Sequence, residues 1–358
     1  MNNISSNQST VVFEAAGKQQ FLEHFEAQDF STFFVLVDQN TKKHCLSHFL
    51  SWFSSEKQIE VIEMPAGEEH KHLETCQMVW EQLSSLGADR KSVLINLGGG
   101  VVSDLGGFVA CAFKRGIAFY NIPTTLLSMV DASVGGKTGV DLGVLKNQIG
   151  IIQEPEMVLV LPQWLNTLPQ EELRSGFAEM LKHGLIADEP YWNALKKLDH
   201  ISVAQVAPFI TRSVELKNRV VTKDPTEKGL RKILNYGHTL GHAIESYCLA
   251  HPHRKRLLHG EAIAIGMILE AYLSAAITGL SKKERDNIRT AFLNYFEAHP
   301  FTKEEQKGII ELLQHDKKNR GGKVNFVLLE AIGKPAIDIV VSPVLFSDAF
   351  DYYHGELS

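Results

Sequence analysis

Cysteine is scarce in this chain, and the four present, Cys45, Cys76, Cys111 and Cys248, stand far apart with neither disulfide nor metal-knuckle spacing. That scarcity excludes a small secreted scaffold held by disulfides and fits a reducing compartment. The N-terminus lacks the basic and apolar segments of a signal peptide. No apolar run approaches the roughly eighteen residues needed to cross a bilayer. A soluble, cytoplasmic protein with no membrane partner is therefore expected. An excess of positive charge is also missing: 36 Lys and Arg against 42 Asp and Glu leave a net charge of −6, which argues against a broad nucleic-acid face. What the chain does have is a 44% hydrophobic content over 358 residues, enough for about two domains, each with its own core.

Apolar runs at 33–37, 93–97, 119–122 and 157–161 alternate with helical stretches, the pattern of a parallel βαβ sheet. Beyond Pro169 the pattern changes, and residues 170–315 read mostly as amphipathic helices. The expected fold is an α/β Rossmann-like parallel-sheet domain over 1–168 followed by an all-α domain over 169–358. The site is expected in the cleft between them.

Gly237-His238-Thr239-Leu240-Gly241-His242 puts two imidazoles one helical turn apart, and Leu258-His259-Gly260-Glu261 adds a third. Three such side chains are what a catalytic zinc takes while keeping a position open, although spacing alone does not say which of them bind. Glu179 is the best carboxylate to join them, on a helical pattern that also carries Lys182 on the same face. Farther upstream, the strand at 94–97 runs into Gly98-Gly99-Gly100 and an apolar helix, a cradle whose backbone N–H groups and positive helix end suit a phosphate. The triplet is not the Gly-x-Gly-x-x-Gly fingerprint. A second strand ends at Pro123-Thr124-Thr125, where ligands sit in open α/β sheets. Asp131, Gly135-Gly136-Lys137-Thr138 and Lys146-Asn147 follow as a polar, glycine-rich run suited to a polyanion. It lacks the first glycine of a Walker loop, so an ordinary ATPase or kinase is excluded.

Together these stretches, with Gly229-Leu230-Arg231, Leu234-Asn235 and Asp316-Lys317-Lys318, closely resemble the 3-dehydroquinate synthase family of sugar phosphate cyclases. The resemblance covers nearly the whole chain beyond its first thirty residues. It implies a dehydroquinate synthase-like fold, NAD and a divalent metal, zinc or cobalt. It also implies a phosphate-eliminating lyase that turns the sugar acid phosphate DAHP into 3-dehydroquinate in the shikimate pathway. On the same footing, the metal ligands fall on Glu179, His238 and His259. Substrate and catalytic roles fall on Asp131, Lys137, Asn147, Lys182, Lys217, Arg231, Asn235 and His242, with Lys317 or Lys318 closing the phosphate side. Arg115 matches a residue that reaches a neighbouring subunit's phosphate site, which implies a homodimer. NAD contacts fall on Asp38, Asn40, Gly67, Glu68, Lys71, Gly99, Gly100, Val101, Val102, Asp104, Thr124, Thr125, Lys137, Lys146 and Thr167. An acidic residue after the first strand fits a ribose diol and disfavours the extra phosphate of NADP.

Three features depart from the family pattern. Ser103 and Gly106 stand where relatives often have Gly and Ala, and the segment 251–256 looks long. The competing readings are a sister cyclase acting on a sugar phosphate without a carboxylate, a metal-dependent polyol dehydrogenase, and a metal-stabilised binding protein. The set Arg231, Asn235 and His242 argues against the first, and the many lysines argue against the second.

Overall fold

The computed structural model describes residues 3–357 apart from 7, 56, 144 and 314–323. The chain forms two compact units, Met1–Pro169 with Ala207–Pro225, and Gln170–Val206 with Thr226–Ser358. The first crossing follows Pro169, one residue beyond the expected boundary, and 207–225 groups with the first unit rather than the second.

In the first unit, strands β1 (Ile4–Ser5), β2 (Thr10–Phe13), β3 (Phe33–Asp38), β4 (Ile59–Met64), β5 (Val93–Gly98), β6 (Ala118–Pro123) and β9 (Met157–Val160) form one sheet, ordered β1-β2-β9-β6-β5-β3-β4. Every pairing is parallel except β1 with β2. The four strands expected from apolar runs are all present, and β5 is buried at every position, as a strand covered on both faces must be. The helices of this unit include α1 (Glu14–Glu26), α2 (Leu73–Ser85) and α3 (Gly100–Ala112). Leu36, Leu94, Val102, Leu105 and Val109 belong to the core they share with the sheet. The chain goes from β3 outward to β4, then returns to place β5 on the other side of β3. The direction of winding therefore reverses between β3 and β5, whose carboxyl ends carry Asp38 and the glycine triplet. Ligand crevices of open α/β sheets form at such a reversal. The glycine-rich run, which periodicity leaves unassigned, folds as an antiparallel hairpin of β7 (Lys137–Leu142) and β8 (Leu145–Ile152).

The second unit holds α4 (Gln170–Ala187), α5 (Glu189–Leu195), the start of α6 (Val203–Lys223), α7 (His238–Ala250), α8 (His259–Ile277), α9 (Lys282–Tyr295), α10 (Lys303–Leu312) and α11 (Val344–His354). It is helical as expected, with one correction: β10 (Asn325–Ala331) and β11 (Lys334–Val340) pair as an antiparallel hairpin, so the unit is not purely α. A second correction concerns α8, which is long and apolar enough to cross a membrane, contrary to the sequence reading. Its apolar stretch is 78% buried inside the protein, and Met267, Leu269, Ala271 and Leu273 are fully covered. It is the central core helix of its unit, and burial on every side explains its lack of a polar stripe.

A glycine loop and a histidine cluster

In the first unit, α3 starts at Gly100 behind Gly99, with no side-chain cap and no acidic residue in its first turn. The N–H groups of Gly100, Val101 and Val102 are thus left for a ligand, and Val102 itself packs under Gly98. Thr124 N–H donates to Gly98 O at 2.9 Å, and Thr125 Oγ1 accepts from Ser128 N–H at 3.2 Å, which ties the Pro123-Thr124-Thr125 corner to the same loop. Asp38 Oδ1 accepts from both Thr41 N–H and Thr41 Oγ1, at 2.7 and 2.9 Å. Asn40 lies exposed in the turn so formed.

Beside the loop lies a charged network that joins residues far apart in the chain. Lys71 Nζ, buried, donates to Asp104 Oδ2 at 2.5 Å and Asn147 Oδ1 at 2.7 Å. Lys146 Nζ meets Glu68 Oε1 at 3.0 Å and Asp141 Oδ2 at 3.3 Å, while Asp141 Oδ1 accepts from Asn147 N–H at 2.6 Å. Burial opposes charge on Lys71, but Asp104 and Glu68 outweigh it and hold the ammonium protonated well above the ordinary lysine range. Asp141 was missed by sequence reasoning, because an acid within a strand has no local signature. Gly67, at φ +111°, turns the chain immediately before Glu68.

Elsewhere in this unit, Lys217 Nζ contacts Asp131 Oδ1 at 2.6 Å and donates to Asp131 O at 2.5 Å, so it grips that residue by side chain and backbone at once. Lys137 is exposed at the start of β7. Thr167 ends the turn Pro162–Thr167, where its hydroxyl donates to Trp164 O at 3.2 Å. Arg115 is exposed at φ +70° and shares a depression of about 360 Å³ with Asp89, Arg90 and Lys114. Two of the departures from the family pattern also find causes here. Ser103 Oγ lies 3.1 Å from Ser128 Oγ, and Asn96 Oδ1 fills the space a side chain at Gly106 would need, 2.0 Å from an added Cβ.

The second unit assembles the metal candidates. Glu179, wholly buried on α4, turns one oxygen toward Lys182 Nζ, also buried. Its other oxygen, Oε1, lies 3.6 Å from His238 Nε2 and 3.6 Å from His259 Nε2. His238 Nδ1 is 3.0 Å from Tyr236 O, a carbonyl that can only accept, so Nδ1 carries the proton and Nε2 is presented inward. His259 Nδ1 is likewise turned to Glu245 Oε2 at 3.4 Å. Such outer partners fix the orientation of metal-binding imidazoles. Burial opposes charge on His259, but Glu179 and Glu245 outweigh it and push the imidazole up to about 10, so an entering cation would displace a proton. His242 stands in the same group: its ring centroid is 5.2 Å from that of His238 and 5.7 Å from that of His259. Glu245 was not foreseen, although it lies two turns beyond His238 on the same helix.

Local sequence explains the convergence. An added Cβ at Gly260 would lie 2.0 Å from Ser175 O, and Gly260 N–H donates to Ser175 Oγ at 2.9 Å. Only glycine lets the start of α8 press against α4 one turn before Glu179, which sets His259 beside it. Glu261 then caps Leu258 N–H at 2.9 Å. Asn235 Nδ2 donates to Glu227 Oε1 at 2.6 Å, and Arg231 is buried in the turn Leu230–Asn235. Lys317 and Lys318 lie outside the described residues.

A parallel sheet with a glycine loop at its switch point, followed by a helical unit, is a fold that cyclases acting on sugar phosphates share with glycerol dehydrogenases. The structure of 2-deoxy-scyllo-inosose synthase with carbaglucose-6-phosphate, NAD+ and Co2+ matches with a TM-score of 0.82 at 25% identity, covering 98% of this chain and 99% of that one. Glycerol dehydrogenase from Schizosaccharomyces pombe shares the fold more loosely, with a TM-score of 0.63 at 16% identity over 99% of this chain and 90% of that one.

The chain belongs to the 3-dehydroquinate synthase family: the N-terminal family domain matches residues 61–175 and the C-terminal one matches residues 176–319. It is 37% identical over 338 residues to the 3-dehydroquinate synthase of Parabacteroides distasonis, which spans 94% of this chain and 95% of that one. It is 43% identical over 288 residues to that of Pelobacter propionicus, covering 79% of each.

Proposed function

We infer that the protein converts DAHP to 3-dehydroquinate and phosphate, with NAD and a divalent cation, zinc or cobalt, as its cofactors. The observation that carries this reading is the meeting of His238 Nε2 and His259 Nε2 on one oxygen of Glu179, each at 3.6 Å. That is too long for a hydrogen bond, but close to the roughly 3.3–3.4 Å between ligand atoms around a tetrahedral ion with bonds of about 2.0–2.1 Å. Two imidazoles with fixed inward nitrogens and one carboxylate suit zinc. When bound, the cation supplies Lewis acidity toward a substrate hydroxyl, and NAD supplies a hydride acceptor restored within each cycle.

The chain's own groups bind, orient and hold protons. The first-turn N–H groups of α3 would hold the pyrophosphate of NAD, and Asp38 would hold a ribose diol. Lys182, beside Glu179, fixes that carboxylate and offers a cation to the substrate. Asp131, gripped by Lys217, would lie by the reacting hydroxyl. Lys137, Asn147, Arg231, Asn235, His242 and Lys317 supply donors for phosphate and carboxylate. The catalytic task is largely one of fixing a single conformer while phosphate leaves, so few general bases are needed. The reading extends to a cytoplasmic homodimer, in which Arg115 of one subunit serves the phosphate site of the other. Sedimentation velocity of the wild type and an Arg115→Ala variant tests that part: a monomer with full activity refutes it.

The main test is phosphate release from DAHP, with and without NAD and chelator, while absorbance is followed at the NADH band. Expected is phosphate and carbocycle from catalytic NAD, no net NADH, and loss of turnover on chelation. NADH accumulating in step with product identifies a dehydrogenase. Turnover of sedoheptulose 7-phosphate in place of DAHP identifies a sister cyclase.

A further inference from the structure

α7 begins at His238, and its N-cap is Gly237, which has no side chain to bond the first-turn N–H groups. Glu270, three turns into α8 and wholly buried, takes that part from the neighbouring helix. Its Oε2 accepts from Gly237 N–H at 2.6 Å and its Oε1 from Leu240 N–H at 3.3 Å. One turn away on α8, Met267 O accepts from Tyr236 Oη at 3.1 Å, and Tyr236 O is the carbonyl that fixes the His238 ring. The backbone on either side of His238 thus hangs from two groups of α8.

This arrangement answers an electrostatic difficulty. His238 and His259 are the first residues of their helices, and each helix start carries the equivalent of about half a positive charge. A cation bound there meets two positive ends. Glu261 caps one of them, by way of Leu258 N–H, and Glu270 caps the other.

We propose that Glu270 is a positioning residue of the metal site: it caps the helix that presents His238 and offsets its positive end, so divalent-cation affinity depends on it. This rests on the reading of Glu179, His238 and His259 as the ligands. The test is a zinc titration of metal-free protein against a chromophoric chelator, with melting temperature recorded for each variant. Glu270→Gln keeps the shape and one acceptor but removes the charge, and it should bind zinc at least about tenfold more weakly, the effect of losing a partner behind a ligand. Glu270→Asp, which keeps the charge, should bind more tightly than Glu270→Gln. As a control, Ser274→Ala removes the hydroxyl that donates to the Glu270 carbonyl at 2.6 Å and accepts from Leu329 N–H at 2.9 Å. It should lower the melting temperature and leave zinc affinity unchanged. Glu270→Gln binding zinc as tightly as the parent overturns the proposal, as does a loss in Ser274→Ala equal to that in Glu270→Gln, which would reduce Glu270 to a structural cap. A parent that binds no zinc refutes the ligand assignment instead.

Discussion

The helix that opens the glycine loop and the helices that carry the histidines treat their positive ends in opposite ways. α3 begins without a side-chain cap or an acidic first turn, whereas α7 and α8 begin against the carboxylates of Glu270 and Glu261. α3 and α8 both start from an extended residue, Gly99 and Leu258, so between these two the difference lies in where acids have been placed; α7 starts from the left-handed Gly237 and still draws a carboxylate. An uncapped start suits an anion such as a pyrophosphate, and an acid-capped start suits a cation. The sign of the ligand is thus written in the neighbours of a helix end rather than in the helix itself.

The largest effect expected from breaking this comparison comes from the cation side. His259→Ala should leave a folded protein with almost no bound zinc and no measurable turnover, since two ligands cannot hold the ion. His242→Ala should keep the metal and lose turnover. Metal analysis alongside kinetics decides, and zinc loss in His242→Ala equal to that in His238→Ala would make His242 a ligand.

Next comes the network beside the anion side. Lys71→Met strips the cation from Asp104 and leaves Glu68 as its charged neighbour, while Lys146 still holds Glu68 and Asp141. Urea unfolding should show a loss of about 3–5 kcal/mol, the cost of removing one partner of a buried pair. A loss under about 1 kcal/mol would mean that water reaches the network.

A smaller change tests the sign rule directly. Val101→Asp puts an acid into the first turn of α3, making it resemble α7. NAD affinity should fall about tenfold, or about 1.4 kcal/mol, measured by calorimetry. Val101→Asn controls for lost apolar contact and should fall less. Equal losses would remove electrostatics from the account of the cradle.

The smallest effect concerns pH and lies away from both sites. His354 Nε2 accepts from Phe301 N–H at 3.1 Å, which an imidazolium cannot do, and burial lowers the folded-state pKa of His354 below that of a free histidine. Its contribution is therefore complete above about pH 6.5, the unfolded value, and is lost as pH falls through the lower folded value. Melting temperature should decline on acidification, and His354→Gln should flatten that decline. An unchanged slope refutes the assignment.

Much of this was legible in the chain. The strands at 33–37 and 93–97 declared themselves because strands covered on both faces must be apolar throughout, and the glycine triplet followed because a strand must turn before its helix starts. His238 and His242 were legible as a pair because helical spacing is local. Other features were not. The length and apolarity of α8 escaped notice among its scattered alanines and glycines, and the hairpin 325–340 was lost among helices because its strands carry lysine, proline and glutamate. The resemblance gives Lys217 a substrate role; its grip on Asp131 has no local signature and appears only in the fold.

Residue order fixed what depends on near neighbours: periodicity, turns, the histidine pair, and the family to which all of these belong. It could not fix which carboxylate faces which nitrogen. Glu179 reaches His238 and His259 across long stretches of chain, and it does so because Gly260 admits the start of α8 against Ser175. Glu245, Glu270 and Asp141 are ordinary acids in the sequence, and they acquired partners only when packing buried them beside an imidazole, a helix start and a lysine. Charge at a site depends on distance and on the exclusion of water, and both are properties of the folded chain.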